Sequence, residues 1–253
     1  MGYRLIQAFR ARLGVDSERS GLRRSTAEWL FLAPLAGAVV VAGLRVSRGV
    51  FKLLTAEDRI LEWAQFAGYT LPAVVAFVVA FRLARGRRWL VAGAWLFLAV
   101  GCTFVAGEEI SWGQRIFHWK TPGFLGRANH QDELNIHNVR SVQDGLNAAL
   151  MMGALYGAVV PWFFRGRRDK PAHETANLFL PALFLSSAFL VMFAYKALRF
   201  AVLPEPRYTI VKFGEYPEFC FAYALAVFTV LTHRALRRES PVARAAAASS
   251  ISR

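Results

Sequence analysis

Cysteine is almost absent from this chain: Cys102 and Cys220 are the two among 253 residues, and both sit in apolar runs. That excludes a disulfide-stapled secreted scaffold and a cysteine-built zinc module. The pair reads as buried small apolar residues, with a bridge or thiol ligand as the alternative because both fall at a similar depth near the outer face. Acids are scarce too, 17 Asp and Glu against 31 Lys and Arg. Missing as well are a Gly-x-Ser-x-Gly elbow, a Walker loop, a His-Glu-x-x-His pair and a Cys-x-x-Cys pair. Soluble serine-hydrolase, nucleotide-hydrolase and thiol-redox chemistry therefore lose their sequence support. No cleavable leader is legible either, since the basic lead is long and the first apolar run lacks a small-x-small exit site; it reads as a signal anchor.

What is abundant is hydrophobic sequence, 55% of residues, with 14% aromatic. Six runs are long and apolar enough to cross a bilayer as helices: about Trp29–Leu44, Leu61–Phe81, Trp89–Ala106, Val142–Phe164, Leu178–Tyr195 and Tyr216–Thr232. Helices are the spanning form such runs can take, because lipid satisfies no backbone polar group. The expected fold is an all-α polytopic integral membrane bundle of about six transmembrane helices, with a long polar outer loop between the third and fourth. Residues 1–26 read as a basic cytoplasmic tail, 27–236 as the transmembrane domain and 237–253 as a disordered cytoplasmic tail. Within the first tail, Leu5, Ile6, Phe9 and Leu13 fall near one helical face with arginines elsewhere. That pattern suits a short interfacial helix, a solvated tail being the alternative.

The net charge of +14 is distributed in a way that argues against nucleic acid. Arg19, Arg23 and Arg24 precede the first span; Arg82, Arg85, Arg87 and Arg88 follow the second. Arg165, Arg167, Arg168 and Lys170 follow the fourth, and Arg234, Arg237 and Arg238 the sixth. Clusters at alternate ends of successive spans are the positive-inside pattern, placing both termini in the cytoplasm and the protein in the bacterial inner membrane. The bilayer is then its first partner, and the arginine loops favour anionic headgroups.

Chemistry concentrates on the opposite side. Gly107-Glu108-Glu109-Ile110-Ser111-Trp112-Gly113-Gln114-Arg115 closes the third span, and Asp132-Glu133-Leu134-Asn135-Ile136-His137-Asn138 follows in the same loop. Carboxylates at a lipid-embedded helix end are costly to bury and are usually kept for ions, protons or catalysis. On a helix Glu108 and Glu109 lie about 100° apart, so one at most points straight into the bundle; a solvated helix end is the bland alternative. Glu133 and His137 share a helical face at i, i+4 and could ligate one metal or form an acid–base pair. His118 and His130 lie in the same loop. Glu215 and Glu218 open the sixth span around Pro217, where they complement the helix dipole or join the site. Lys196 and Arg199 end the fifth span, by default snorkelling to the headgroups.

The Gly107–Arg115 string, with Asn129-x-Gln131 and Asn135-x-His137-Asn138, resembles the signature of a family of uncharacterised bacterial polytopic membrane proteins. That likeness implies a shared membrane fold and outer-face site, and no activity. A more distant likeness is to the ceramidase and adiponectin-receptor membrane hydrolases, which hold zinc near one face of a helical bundle. It implies a role for Ser111 beside His118 and Gln131–Leu134. This chain lacks the His-x-x-x-His pair of those enzymes' last helix and has six spans where they have seven.

The expected function is a metal-dependent hydrolase or transferase acting on a lipid-like substrate. Glu109, Glu133, His137, Glu215 and Glu218 would hold a divalent metal such as zinc. Glu108, Glu109, Ser111 and Glu133 would serve catalysis, and Gln114, Arg115 and Asn138 would contact substrate. A small cation- or proton-coupled transporter and a non-catalytic membrane subunit or assembly factor docking a membrane protein are the alternatives. The topology is directly testable. Reporter fusions at Arg85 and Lys170 should report cytoplasm and a fusion at Gly126 the exterior; a cytoplasmic Gly126 would overturn the orientation.

Overall fold

A computed structural model of the chain describes residues 2–57, 59–117, 140–165, 174–203 and 207–251. Among these residues every regular element is helical. The principal helices are α1 (Gly2–Arg19), α2 (Arg24–Gly43), α3 (Arg48–Thr55), α4 (Ile60–Arg85), α5 (Trp89–Glu109), α6 (Arg140–Phe164), α7 (Ser186–Ala201) and α8 (Glu215–Ile251). Six helical stretches are long and apolar enough to cross a membrane, and they coincide with the six apolar runs of the sequence. The chain is a multi-pass, all-α membrane bundle.

The boundaries of the spans follow local chemistry. α5 is 21 residues long, about 30 Å at 1.5 Å per residue, which matches a bilayer's hydrocarbon core. Exposed Trp29 and Trp89 lie at one end of the bundle and part-exposed Trp63 and Trp112 at the other, the two aromatic belts expected at headgroup depth. Between them Phe97, Leu90 and Val39 face outward; such side chains are stable against lipid. The fifth span is shorter than its apolar run. Pro181 has no N–H and biases Leu180 away from helical geometry, so 180–182 are non-helical and α7 is entered through a 3-10 turn at Leu183–Leu185. The final helix continues beyond the sixth span through an Arg- and Ala-rich stretch of high helix propensity.

Small residues let the helices approach closely, as lipid-embedded interfaces require. A Cβ on Gly68 would stand 3.0 Å from Ala222 Cβ, which sets α4 against α8. Gly37 on α2 makes a notch for Tyr216, whose hydroxyl donates to the Pro34 carbonyl at 2.9 Å. Gly157 lies directly beneath the Phe189 ring and joins α6 to α7.

The sequence pattern around Tyr3–Leu13 does form a helix, and α1 is docked rather than free. Phe9 packs between Phe31 and Trp162, with ring centroids 5.0 and 5.5 Å away. Leu13, Asp16 and Ser17 are buried. Asp16 pairs with Arg165 through Oδ1 and accepts the Leu183 N–H through Oδ2 at 2.7 Å. Arg165 also donates to the Leu180 carbonyl and to Ser20. The broken entry to the fifth span is therefore closed by α1, whose carboxylate takes a backbone donor that the missing helical turn leaves over.

A Cβ at position 157 would lie 2.4 Å from the Phe189 ring. Gly157→Ala should thus destabilise the detergent-solubilised protein by about 1–3 kcal/mol. Thermal unfolding would show the loss, and Phe189→Leu in the same chain should recover most of it.

Candidate functional site

The end of α5 is shaped by a turn that L-residues rarely adopt. Ser111, Trp112 and Gly113 follow one another with φ of 48°, 53° and 80°, all left-handed. Only Gly113 is free of Cβ strain there; the other two cost about 1 kcal/mol or more each. The turn folds Trp112 back over α5, where a Cβ on Gly107 would meet the indole at 2.9 Å. From there the indole Nε1 donates to Glu108 Oε1 at 2.6 Å, while the ring packs edge-on to Phe104. Glu108 and Ser111 are buried in this unit. Four residues of the signature, Gly107, Glu108, Trp112 and Gly113, are thereby one structural device. Glu108, expected to serve catalysis, is held by the Trp112 indole.

Glu109, one position on, faces differently. Its electrostatic neighbours are Glu218 and Glu215 of α8, Glu62 of α4, and Lys196 of α7. The α4 face carrying Glu62, Gln65 and Tyr69, spaced i, i+3, i+7, borders the same region. Glu215 and Glu218 are both engaged. Gln65 Nε2 donates to the Glu215 carbonyl at 2.9 Å and to its Oε2 at 3.0 Å, and Lys212 Nζ lies 3.8 Å from its Oε1. Lys212 also reaches Glu57 at 3.2 Å. Lys196 Nζ donates to Glu218 Oε1 and to Asn147 Oδ1, each at 2.7 Å. Rather than snorkelling to the headgroups, Lys196 is buried beneath this cluster.

Two groups are left over. Among the described residues no hydrogen bond or ion pair reaches the Glu109 carboxylate. Gln65 is fully buried, and its Oε1 has no partner among the described residues although its amide nitrogen is doubly bound. Because the Glu215 backbone carbonyl and its Oε2 both accept from that nitrogen, the amide orientation is set and the orphan atom is an acceptor. A half-buried carboxylate and an orphan acceptor oxygen in one acidic region suit a proton donor or a hard cation.

The expected site is therefore brought together in part. Glu109, Glu215 and Glu218 converge at one end of the bundle, with Glu108 close in sequence but occupied. Among the described residues no three His, Cys, Asp or Glu side chains come close enough to hold a metal ion by themselves. Glu133, His137 and Asn138 lie outside the described residues, as do His118 and His130, and the described features of Arg115 are limited to its backbone. Gln114 is half-buried at the start of the short helix Gln114–Phe117. Cys102 and Cys220 are buried free thiols, the bland reading of that pair. Gln65 is the member sequence reading missed, its signal a polar residue one turn inside an apolar run; Lys196 takes the alternative to snorkelling, pairing with an acid of the cluster.

No family model, curated protein or solved structure matches the chain, so geometry alone bears on function. The Trp112 turn makes its own prediction. Trp112→Phe keeps the ring over Gly107 but leaves buried Glu108 Oε1 without that donor, at a cost of about 1–3 kcal/mol. Chemical unfolding in mixed micelles should show it, and an unchanged midpoint would remove Glu108 from the structural role.

Proposed function

We propose that this chain is an inner-membrane protein that binds a cation through Glu109 at its carboxylate end. In this reading the cation is a divalent metal and serves hydrolysis or group transfer on a lipid-like substrate. The observation that carries it is the division of labour among the acids. Glu108, Glu215 and Glu218 have strong partners, while Glu109 has none among the described residues. Lys196 and Lys212 bond to other carboxylates, so neither contacts Glu109, which Lys196 reaches only through space. A carboxylate kept in such surroundings without a bonded partner among the described residues is characteristic of a functional site.

A bound divalent ion would supply a water of lowered pKa and polarise a substrate carbonyl or phosphoryl oxygen. The chain's own residues have simpler tasks. Glu109 offers the open oxygen ligand or takes the proton. Gln65 holds Glu215, Lys196 holds Glu218, and the left-handed turn at Ser111 fixes where the chain leaves α5. The arginine clusters at the other end support an outward-facing site and cytoplasmic termini. Proton- or cation-coupled transport is a second reading. Its support is the orphan Gln65 oxygen, which extends the polar region from the helix end into α4.

Glu109→Gln separates site from scaffold when set beside Glu108→Gln. The Glu109 variant should fold, melt at or above the wild-type temperature, and lose bound cation measured by elemental analysis of the purified protein. Glu108→Gln should instead lower the melting temperature, since it perturbs a buried partner of Trp112. Wild type without any cation, together with equal destabilisation by the two variants, would make the acidic cluster structural and sink the reading.

A further inference from the structure

The opposite end of the bundle carries a second site, unconnected with Glu109. A cavity of about 330 Å³ opens where α1 meets the end of α6 and the entry to α7, lined by Ala11, Arg12, Val15, Asp16, Arg19, Arg165 and Leu183. That volume falls in the range of ~300–1,000 Å³ typical of small-molecule sites. We propose that this cavity binds the phosphate group of an anionic phospholipid, with α1 and Arg12 forming its outer wall.

The charge balance points to an anion. Three guanidiniums line the cavity against one carboxylate. Both oxygens of that carboxylate, Asp16, are already committed to Arg165 and to the Leu183 N–H. The one lining carboxylate is thus committed, while Arg12 keeps donors that no described residue takes. Arg12 is pre-set for the task. Its Nη2 donates to the Trp162 carbonyl at 2.6 Å and its guanidinium lies 5.3 Å from the centre of the Trp162 ring. The Nε–H, the two Nη1–H and the second Nη2–H remain as donors for phosphate oxygens. Arg165 is likewise fixed, by Asp16, Leu180 and Ser20. Pre-set donors lose little side-chain entropy when an anion arrives.

The source of the phosphate follows from the rest of the lining and its depth. Ala11, Val15 and Leu183 give the cavity apolar walls that a free phosphate ion would not use. Trp162 at its edge, with exposed Trp29 and Trp89 at the same end of the bundle, places it at headgroup level. Arginine near a bilayer surface draws anionic lipid.

The test is thermal unfolding of the full chain in neutral detergent, titrated with dioctanoyl phosphatidylglycerol, dioctanoyl phosphatidylcholine or sodium phosphate. Phosphatidylglycerol should raise the wild-type melting temperature saturably and phosphatidylcholine should not. Each variant is judged against its own lipid-free melting temperature, so a change in basal stability does not obscure binding. Arg12→Gln should weaken the phosphatidylglycerol effect about fivefold, and Arg19→Gln carries the same expectation if the Arg12 variant does not fold. Arg85→Gln, at the same end but outside the cavity, should leave the effect intact. Loss of the effect in Arg85→Gln to the same degree would overturn the site in favour of diffuse surface charge. An equal shift with sodium phosphate at matched concentration would overturn the lipid assignment, and no shift with phosphatidylglycerol would overturn the proposal outright.

Discussion

An ammonium group buried where three helices meet must find partners inside the protein, because neither lipid nor a dry helix interface will supply them. Lys196 is 6% exposed, and it donates to Glu218 and Asn147 at 2.7 Å each. Removing one partner of such a buried pair typically costs about 3–5 kcal/mol. The link fixes α6, α7 and α8 in mutual rotation at their carboxylate ends. Once Glu218 is bound there, Gln65 can take Glu215, and the acids that remain are assigned by exclusion. Glu108 goes to the Trp112 indole, and Glu109 stays open among the described residues. The candidate site is what is left when the structural charges have been matched.

The two ends of the bundle solve the burial of charge in opposite ways. At the arginine end Asp16, the buried acid among the described residues there, is satisfied by Arg165 and a backbone N–H. At the carboxylate end Lys196 and Lys212 are divided among Glu218, Glu57 and Glu215. Each cluster sits near an aromatic belt, where water and headgroups can screen it. A charge gradient of this sense along the bundle is the sequence's alternating arginine pattern expressed in three dimensions.

The spans were legible because about twenty apolar residues admit few alternatives in a chain of this kind. The convergence of Glu109 with Glu215 and Glu218 could be anticipated from common depth alone. What the sequence concealed depends on contacts between distant residues or on rare backbone geometry. Gln65 and Glu215 are 150 positions apart; nothing local marks them as partners. The left-handed φ of Trp112, which brings its indole back to Glu108, has no mark in the residue string. Asp16 looked like a tail residue because its partners, Arg165 and Leu183, come so much later in the chain.

That separation has a consequence for biogenesis. Asp16 precedes Arg165 by 149 residues and Leu183 by 167. At roughly 5–20 residues per second, the ribosome needs on the order of ten to thirty seconds after making the acid to deliver its partners. In that interval α1 has Phe31 and Glu28 of α2 to pack against but not yet Arg165 or the Leu183 N–H for its carboxylate. The clasp between the first helix and the fifth span therefore closes late, and a nascent chain arrested before residue 183 lacks the backbone donor that completes the Asp16 contacts.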